Sequence, residues 1–149
     1  MININKSAIT YNGRDIATKE DLIESTKEHM KDVAAGLKFF AEKLEEAAKT
    51  HDFDKLENID AFYDDFLSGF DKTEWWNNHT VISRHHINIC GKSFEDVNLL
   101  DVLEYIVDCV MAGLARNGKV YKVELPYDIL STAFGNTVKL LIDNVKIVE

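Results

Sequence analysis

The chain predicts a mainly α-helical fold with a small N-terminal β element. Three observations carry that expectation. Apolar residues recur at helical spacing over four stretches, near residues 19–49, 53–70, 97–116 and 126–141. An Asn12-Gly13 pair sits between two short apolar-bearing segments close to the N-terminus. Proline occurs once, at Pro126, so no linker or low-complexity tail interrupts the pattern.

Each element follows from local signals. Residues 1 to 17 read as a β-hairpin element, with Ile9 to Tyr11 and Arg14 to Ile16 flanking the Asn-Gly turn. A hairpin alone is marginal in water and must pack on something. Thr18 suits an N-cap, with Glu20 and Asp21 in the first turn, for a helix from Lys19 to about Lys49. Leu22, Val33, Leu37, Phe40 and Leu44 mark its apolar side, and His29 lies on that side too. Leu56, Ile59, Phe62, Tyr63, Phe66 and Leu67 give helical spacing across residues 53 to 70, with Gly69 at the end.

Asp71 to Asn78 reads as a loop or short helix bearing Trp75-Trp76, indoles that either fill core or wall a cleft. Asn88 to Phe94, with Gly91, reads as a loop. Asp96 would cap a helix from Val97 to Arg116, stopped at Asn117-Gly118. Val120 to Leu125 alternates as a short strand, and Pro126 opens a last helix. Val145 to Val148 reads as a terminal strand that would pair with the N-terminal element.

At 149 residues the chain predicts a single domain, with residues 1–17 as the β-hairpin element and 18–149 as the helical part. A net charge of −9 gives no general attraction to nucleic-acid backbones, which excludes a duplex-coating role. A small anionic substrate is still compatible, because a bound cation reverses the local field. No apolar run is long enough to span a bilayer and no signal-peptide pattern opens the chain. Cys90 and Cys109 form no CxxC and read as reduced thiols of a cytoplasmic protein. Apolar helix faces permit a homodimer.

The chemistry concentrates around Thr50-His51-Asp52-Phe53-Asp54-Lys55. Three of the five histidines follow in one short segment, His79 to His86, which ends in the His85-His86 pair. Asp101, Glu104 and Asp108 fall on one stripe of the predicted 97–116 helix. Imidazole and carboxylate together suit one or two divalent transition ions: Mn, Fe, Zn, Co or Ni. Such an ion acidifies water and polarises a phosphoryl oxygen. Lys55 would stabilise charge on a phosphate, and the planar fork of Arg84 would clamp one.

Bland readings stand beside these. His-Asp pairs occur by chance, His85-His86 fits a solvated loop, and the acidic stripe fits the wet face of an amphipathic helix. His29 and His51 lie 22 residues apart, roughly 33 Å along an unbroken helix. They share an ion only if the chain turns near Gly36. Walker, GxGxxG and GxSxG motifs are absent. Cys90 with His85 or His86 as a nucleophilic pair has nothing to favour its thiolate.

His51-Asp52-x-x-Lys55, then Ser83-Arg84-His85-His86, then Asn98-Leu-Leu-Asp101-Val-Leu-Glu104 and Asp108 resemble an uncharacterised domain family of phages and bacteria, from about Lys27 to Tyr121. The same order is similar to the HD-domain phosphohydrolases, in particular their HD-GYP branch. That resemblance implies a compact helical HD-like domain. It makes His51 and Asp52 the doublet, Lys55 the lysine, His79 the intermediate histidine and His85-His86 the pair. It also implies Asp108 as the closing aspartate, with Asp101 second, and His29 as the opening histidine. No Gly-Tyr-Pro motif follows His86, so cyclic-dinucleotide specificity is not implied.

The expectation is a metal-dependent phosphohydrolase acting on a nucleotide or other small phosphate ester. Its metal ligands are His51, Asp52, His79, His85, His86 and Asp108, with His29, Asp101 and Glu104 as further candidates. Lys55 and Asp52 are the catalytic candidates, and Lys55 and Arg84 the substrate-binding ones. Two alternatives remain: a non-catalytic nucleotide- or protein-binding factor of phage type with a degenerate His-rich pocket, and a structural helical protein with hydrogen-bonded core histidines.

Overall fold

A computed structural model describes residues 1–5, 17–71, 74–87 and 94–148. The protein is mainly helical, in the order β1 (Ile2–Asn5), α1 (Lys19–Thr50), α2 (Phe53–Glu57), α3 (Ile59–Leu67), α4 (Glu74–Ile82), α5 (Leu99–Asn117), α6 (Tyr127–Ile142) and β2 (Val145–Val148). The chain packs as two units, Met1–Lys43 with Lys139–Glu149, and Leu44–Val138.

In the first unit, β1 and β2 form a two-stranded parallel pair in the register Ile2↔Val145 to Asn5↔Val148. The terminal strand therefore pairs with the N-terminal segment, as its sequence suggests. The expected Asn12-Gly13 turn lies outside the described residues. Thr18 caps α1 reciprocally: its Oγ1 accepts from the Asp21 amide at 3.1 Å, while its own amide donates to Asp21 Oδ2 at 2.9 Å. The helix then runs unbroken through Gly36.

The second unit is built on α5. Asn98, not Asp96, caps this helix, and its side chain accepts from the Leu100 amide at 2.9 Å. Asp101 closes the capping box by accepting from the Asn98 amide at 2.9 Å. The helix therefore starts at Leu99, two residues later than its apolar pattern suggests. Its amphipathic face packs Val102 with Ile87, Val97, Ile129 and Ala133, flanked by Phe94, Leu99, Tyr105 and Leu125. Asn136 on α6 donates to the carbonyls of Glu95 and Val97, at 3.0 and 2.8 Å, which ties α6 to the start of α5.

Two sequence expectations are corrected in this unit. The 53–70 stretch is two helices, because Asn58 leaves the helical region (φ −119°, ψ 44°) and serves as the C-cap of α2 and the N-cap of α3. Val120 to Leu125 is not a strand; no ladder partner pairs with it among the described residues. It runs back along α5, where the Tyr121 amide donates to the Cys109 carbonyl at 3.3 Å and the Tyr105 hydroxyl meets the Glu124 backbone.

Gly113 permits that close pass. A Cβ there would meet Tyr121 N at 2.5 Å and Lys119 O at 2.6 Å, both backbone atoms that cannot swing aside. Gly113→Ala is therefore expected to lower unfolding free energy by about 1–3 kcal/mol, despite the better helix propensity of alanine. Urea denaturation measures this, and an unchanged or higher midpoint would refute the packing described.

Candidate metal centre

Four segments of the second unit converge on one buried polar cluster. His51 and Asp52 form the turn after α1, His79 lies on α4, His85 and His86 follow that helix, and Glu104 and Asp108 project from α5. The turn depends on an unusual backbone. Asp52 adopts φ 54°, ψ 20°, a left-handed conformation rare for any residue with a Cβ, though tolerated best by Asn and Asp. It serves as the N-cap residue of α2, so that Asp54 and Lys55 fall on the first turn of that helix.

The nitrogens are oriented from behind. Asp54, only 3% exposed, places both carboxylate oxygens on His79 Nδ1, at 3.0 and 2.8 Å. Glu104 Oε1 contacts His51 Nδ1 at 2.9 Å and His85 Nδ1 at 3.1 Å. A carboxylate only accepts, so each of these Nδ1 atoms carries a proton toward it, and each Nε2 is the atom turned toward the cluster, where a neutral ring would present a lone pair to an ion. Trp75 stacks on the His79 ring, with centroids 4.7 Å apart and planes 14° apart, and Trp76 meets His86 nearly edge-on at 5.1 Å. Of the two readings of Trp75, core is therefore the observed one; the indole is 7% exposed.

The inward-facing atoms are a carboxylate oxygen and imidazole nitrogens. Asp52 Oδ1 lies 3.4 Å from His79 Nε2 and 3.5 Å from His85 Nε2, and His86 Nε2 is 2.8 Å from His79 Nε2. Asp52 Oδ1 is buried and has no hydrogen-bond partner among the described residues. Its other oxygen is held by Lys55 Nζ. Asp52, His79, His85 and His86 each offer one ligand atom within 4.8 Å of the others. Ligands about 2.1 Å from a tetrahedral ion stand about 3.4 Å apart, so the observed spacing and the N/O donor set fit a divalent transition ion.

Protonation favours the same use. Burial, and then the neighbouring His85 and His79, push the His86 pKa down to about 3, which keeps this ring neutral. Burial also lowers His79, against the opposing pull of Asp54. Burial would raise Asp52, but the hydrogen bond and charge of Lys55 lead the effects that outweigh it and bring the carboxylate below its ordinary value. Glu104 follows the same pattern: burial raises it, and its hydrogen bonds to His85 and His51 bring it below its ordinary value.

The structure places the remaining candidates as follows. His51 belongs to a second group with His85 and Glu104, and its Nε2 lies 3.5 Å from Asp52 Oδ2 and 3.6 Å from Asp108 Oδ1. Asp108 thus stands beside His51, outside the four-residue set. Asp101 is turned away into the capping box and a two-pronged pair with Arg84, at 2.7 Å from both Nε and Nη2. Arg84 also contacts Asp96 and packs over Phe94, and the hydrogen bond it donates to Asp101 leads the causes that raise its pKa. Its fork, expected on a phosphate, is engaged by carboxylates.

His29 is exposed on α1 in the first unit, and the turn near Gly36 that would bring it to His51 does not occur. Cys109 is a free thiol, and Cys90 lies outside the described residues. The residue that sequence reasoning missed is Asp54. Its only signal was a carboxylate two positions after the His-Asp doublet. No helix among the described residues is long and apolar enough to cross a membrane.

The arrangement predicts the sign of one substitution. Asp52→Asn keeps the shape and suits the left-handed backbone. It also replaces the unpartnered oxygen with an amide able to donate to the His79 and His85 lone pairs. Chelator-treated D52N protein should be more stable than chelator-treated wild type by about 1–3 kcal/mol, while losing any affinity for transition metal. A lower urea midpoint for the variant would show that Asp52 Oδ1 is already satisfied.

No family model matches the chain, and no curated protein or solved structure does either, so the reading of the site rests on its own geometry.

Proposed function

We propose that the chain is a metal-dependent phosphohydrolase acting on a nucleotide or other small phosphate ester, with its ion held by Asp52, His79, His85 and His86. The observation that carries this reading is the buried Asp52 oxygen without a hydrogen-bond partner among the described residues, set 3.4–3.5 Å from two imidazole Nε2 atoms within a four-residue N/O donor set. A divalent ion of the Mn, Fe, Zn, Co or Ni group, bound there, supplies Lewis acidity toward a phosphoryl oxygen and lowers the pKa of water.

The chain's own groups do the rest. Asp54 and Glu104 fix the imidazole tautomers and orientations, as carboxylates behind metal-binding histidines do. Trp75 and Trp76 cover the buried side and exclude water. His51, held at Nδ1 by Glu104, is placed to move a proton through Nε2 at the accessible side. Lys55 is the cation beside the cluster, able to leave Asp52 for a phosphate oxygen. Because Lys55 already holds the second Asp52 oxygen, one ion is favoured over two.

A small phosphorylated partner rather than duplex nucleic acid suits the −9 charge. A cytoplasmic setting with a reduced Cys109 belongs to the same reading.

Elemental analysis of the purified protein should find about one transition ion per chain. His86→Gln should remove it with helical content intact. A panel of nucleotides and phosphomonoesters should release phosphate with Mn2+ supplied, and Asp54→Asn should reduce either the metal affinity or the rate by about 10–100-fold. Folded protein that takes up no ion from excess Mn2+ or Zn2+ overturns the site. Loaded protein that hydrolyses no member of the panel overturns the activity.

A further inference from the structure

A groove of about 520 Å³ lies beside the cluster and has no part in the chemistry above. Leu44, Ala47 and Ala48 of α1 form one wall, and Leu103, Val107 and Met111 of α5 form the other. The α5 residues repeat every four positions, so their side chains stand in one row along the helix. Val107 and Met111 are 57% and 63% exposed, so this apolar row is uncovered. The groove's polar lining is His51, Glu104 and Asp108. His51 Nε2 in turn lies 3.5 Å from Asp52 Oδ2. The groove is thus an apolar slot whose polar residues include one that touches the candidate metal centre.

We infer that this groove seats an apolar substituent of the substrate, so that the ester carries an alkyl or aryl group rather than a second charged one. The inference rests on the phosphohydrolase reading for the position of the phosphate. Size supports it, because ligand pockets of about 300–1,000 Å³ enclose drug-sized molecules and are lined by apolar side chains with a few convergent polar groups. Charge supports it as well. Among the described residues the groove offers Glu104 and Asp108 carboxylates and no lysine or arginine, so a polyanionic tail would be repelled. An alkyl group gains from every methylene it buries there, about fourfold in affinity for each.

The experiment compares hexyl phosphate with inorganic phosphate by calorimetry, on wild type and on Val107→Ser, with and without Mn2+. Val107 is exposed, so a serine there leaves the core intact, and Met111→Ala serves as a second variant; neither adds charge to the groove. The expected result is that hexyl phosphate binds at least tenfold more tightly than inorganic phosphate, and that both variants erase most of that difference without changing inorganic phosphate binding. In turnover, the variants should raise KM for phenyl phosphate about tenfold, with kcat held and methyl phosphate unaffected.

Hexyl phosphate binding no tighter than inorganic phosphate, or variants that weaken both equally, overturns the inference. Preferential hexyl phosphate binding without hydrolysis of any ester keeps the groove and discards the activity, so the two failures are distinguishable.

Discussion

The second unit is organised around one buried carboxylate oxygen. Asp52 Oδ1 lies 3.4 Å from His79 Nε2 and 3.5 Å from His85 Nε2, while Asp54 and Glu104 hold the Nδ1 side of those rings. A buried carboxylate oxygen without a donor costs about 1–3 kcal/mol or more. A helical unit designed only for stability would fill this space with leucine. The protein surrounds it instead with two further carboxylates and an aromatic wall, and a cation is a species that would satisfy that oxygen and the imidazole nitrogens together.

Local structure is bent to the same end. The left-handed Asp52 ends the long helix at His51 and starts α2 at once, which brings Asp52, Asp54 and Lys55 to one side within four residues. Strain of this kind persists where surrounding contacts over-determine it, and here Lys55 and the histidines do so. On α5 the capping box turns Asp101 toward Asn98 and Arg84, while Glu104, three residues on, faces the imidazoles. A single helix thereby divides its acidic stripe between a structural clamp and a chemical one.

Helical content, the long first helix and the terminal strand were legible because each rests on local signals: periodicity, Thr18 as a cap, the Val-Lys-Ile-Val run near the C-terminus. The break at Asn58 was not, since the apolar spacing continues straight through it. Residues 120 to 125 alternate like a strand, but the chain passes too close to Gly113 for anything but the α5 backbone to be its partner. In the site, the His-Asp doublet and the His85-His86 pair stood out by type and clustering. Asp54 did not, because a carboxylate behind a histidine is defined by a fold that brings positions 54 and 79 together. Arg84 and Asp101 looked like ligand-binding residues because a sequence cannot reveal that two charged side chains have already found each other.

Exposure also decides from which side anything can reach the cluster. The side chains of His79 and His85 are 0% and 2% exposed, with Trp75 over the first of them, so the back of the site is closed. His51 and Asp108, at 31% and 30%, and Lys55, at 24%, are the most exposed of the cluster's charged groups, ahead of Asp52 at 20% and Glu104 at 17%. On the proposed reading a phosphate ester approaches past Lys55 and His51, meeting a positive charge before it meets Asp52. That order suits an anion whose oxygens are drawn in by the ammonium group. It also leaves any apolar remainder of the molecule on the His51–Asp108 side, where α1 and α5 stand apart.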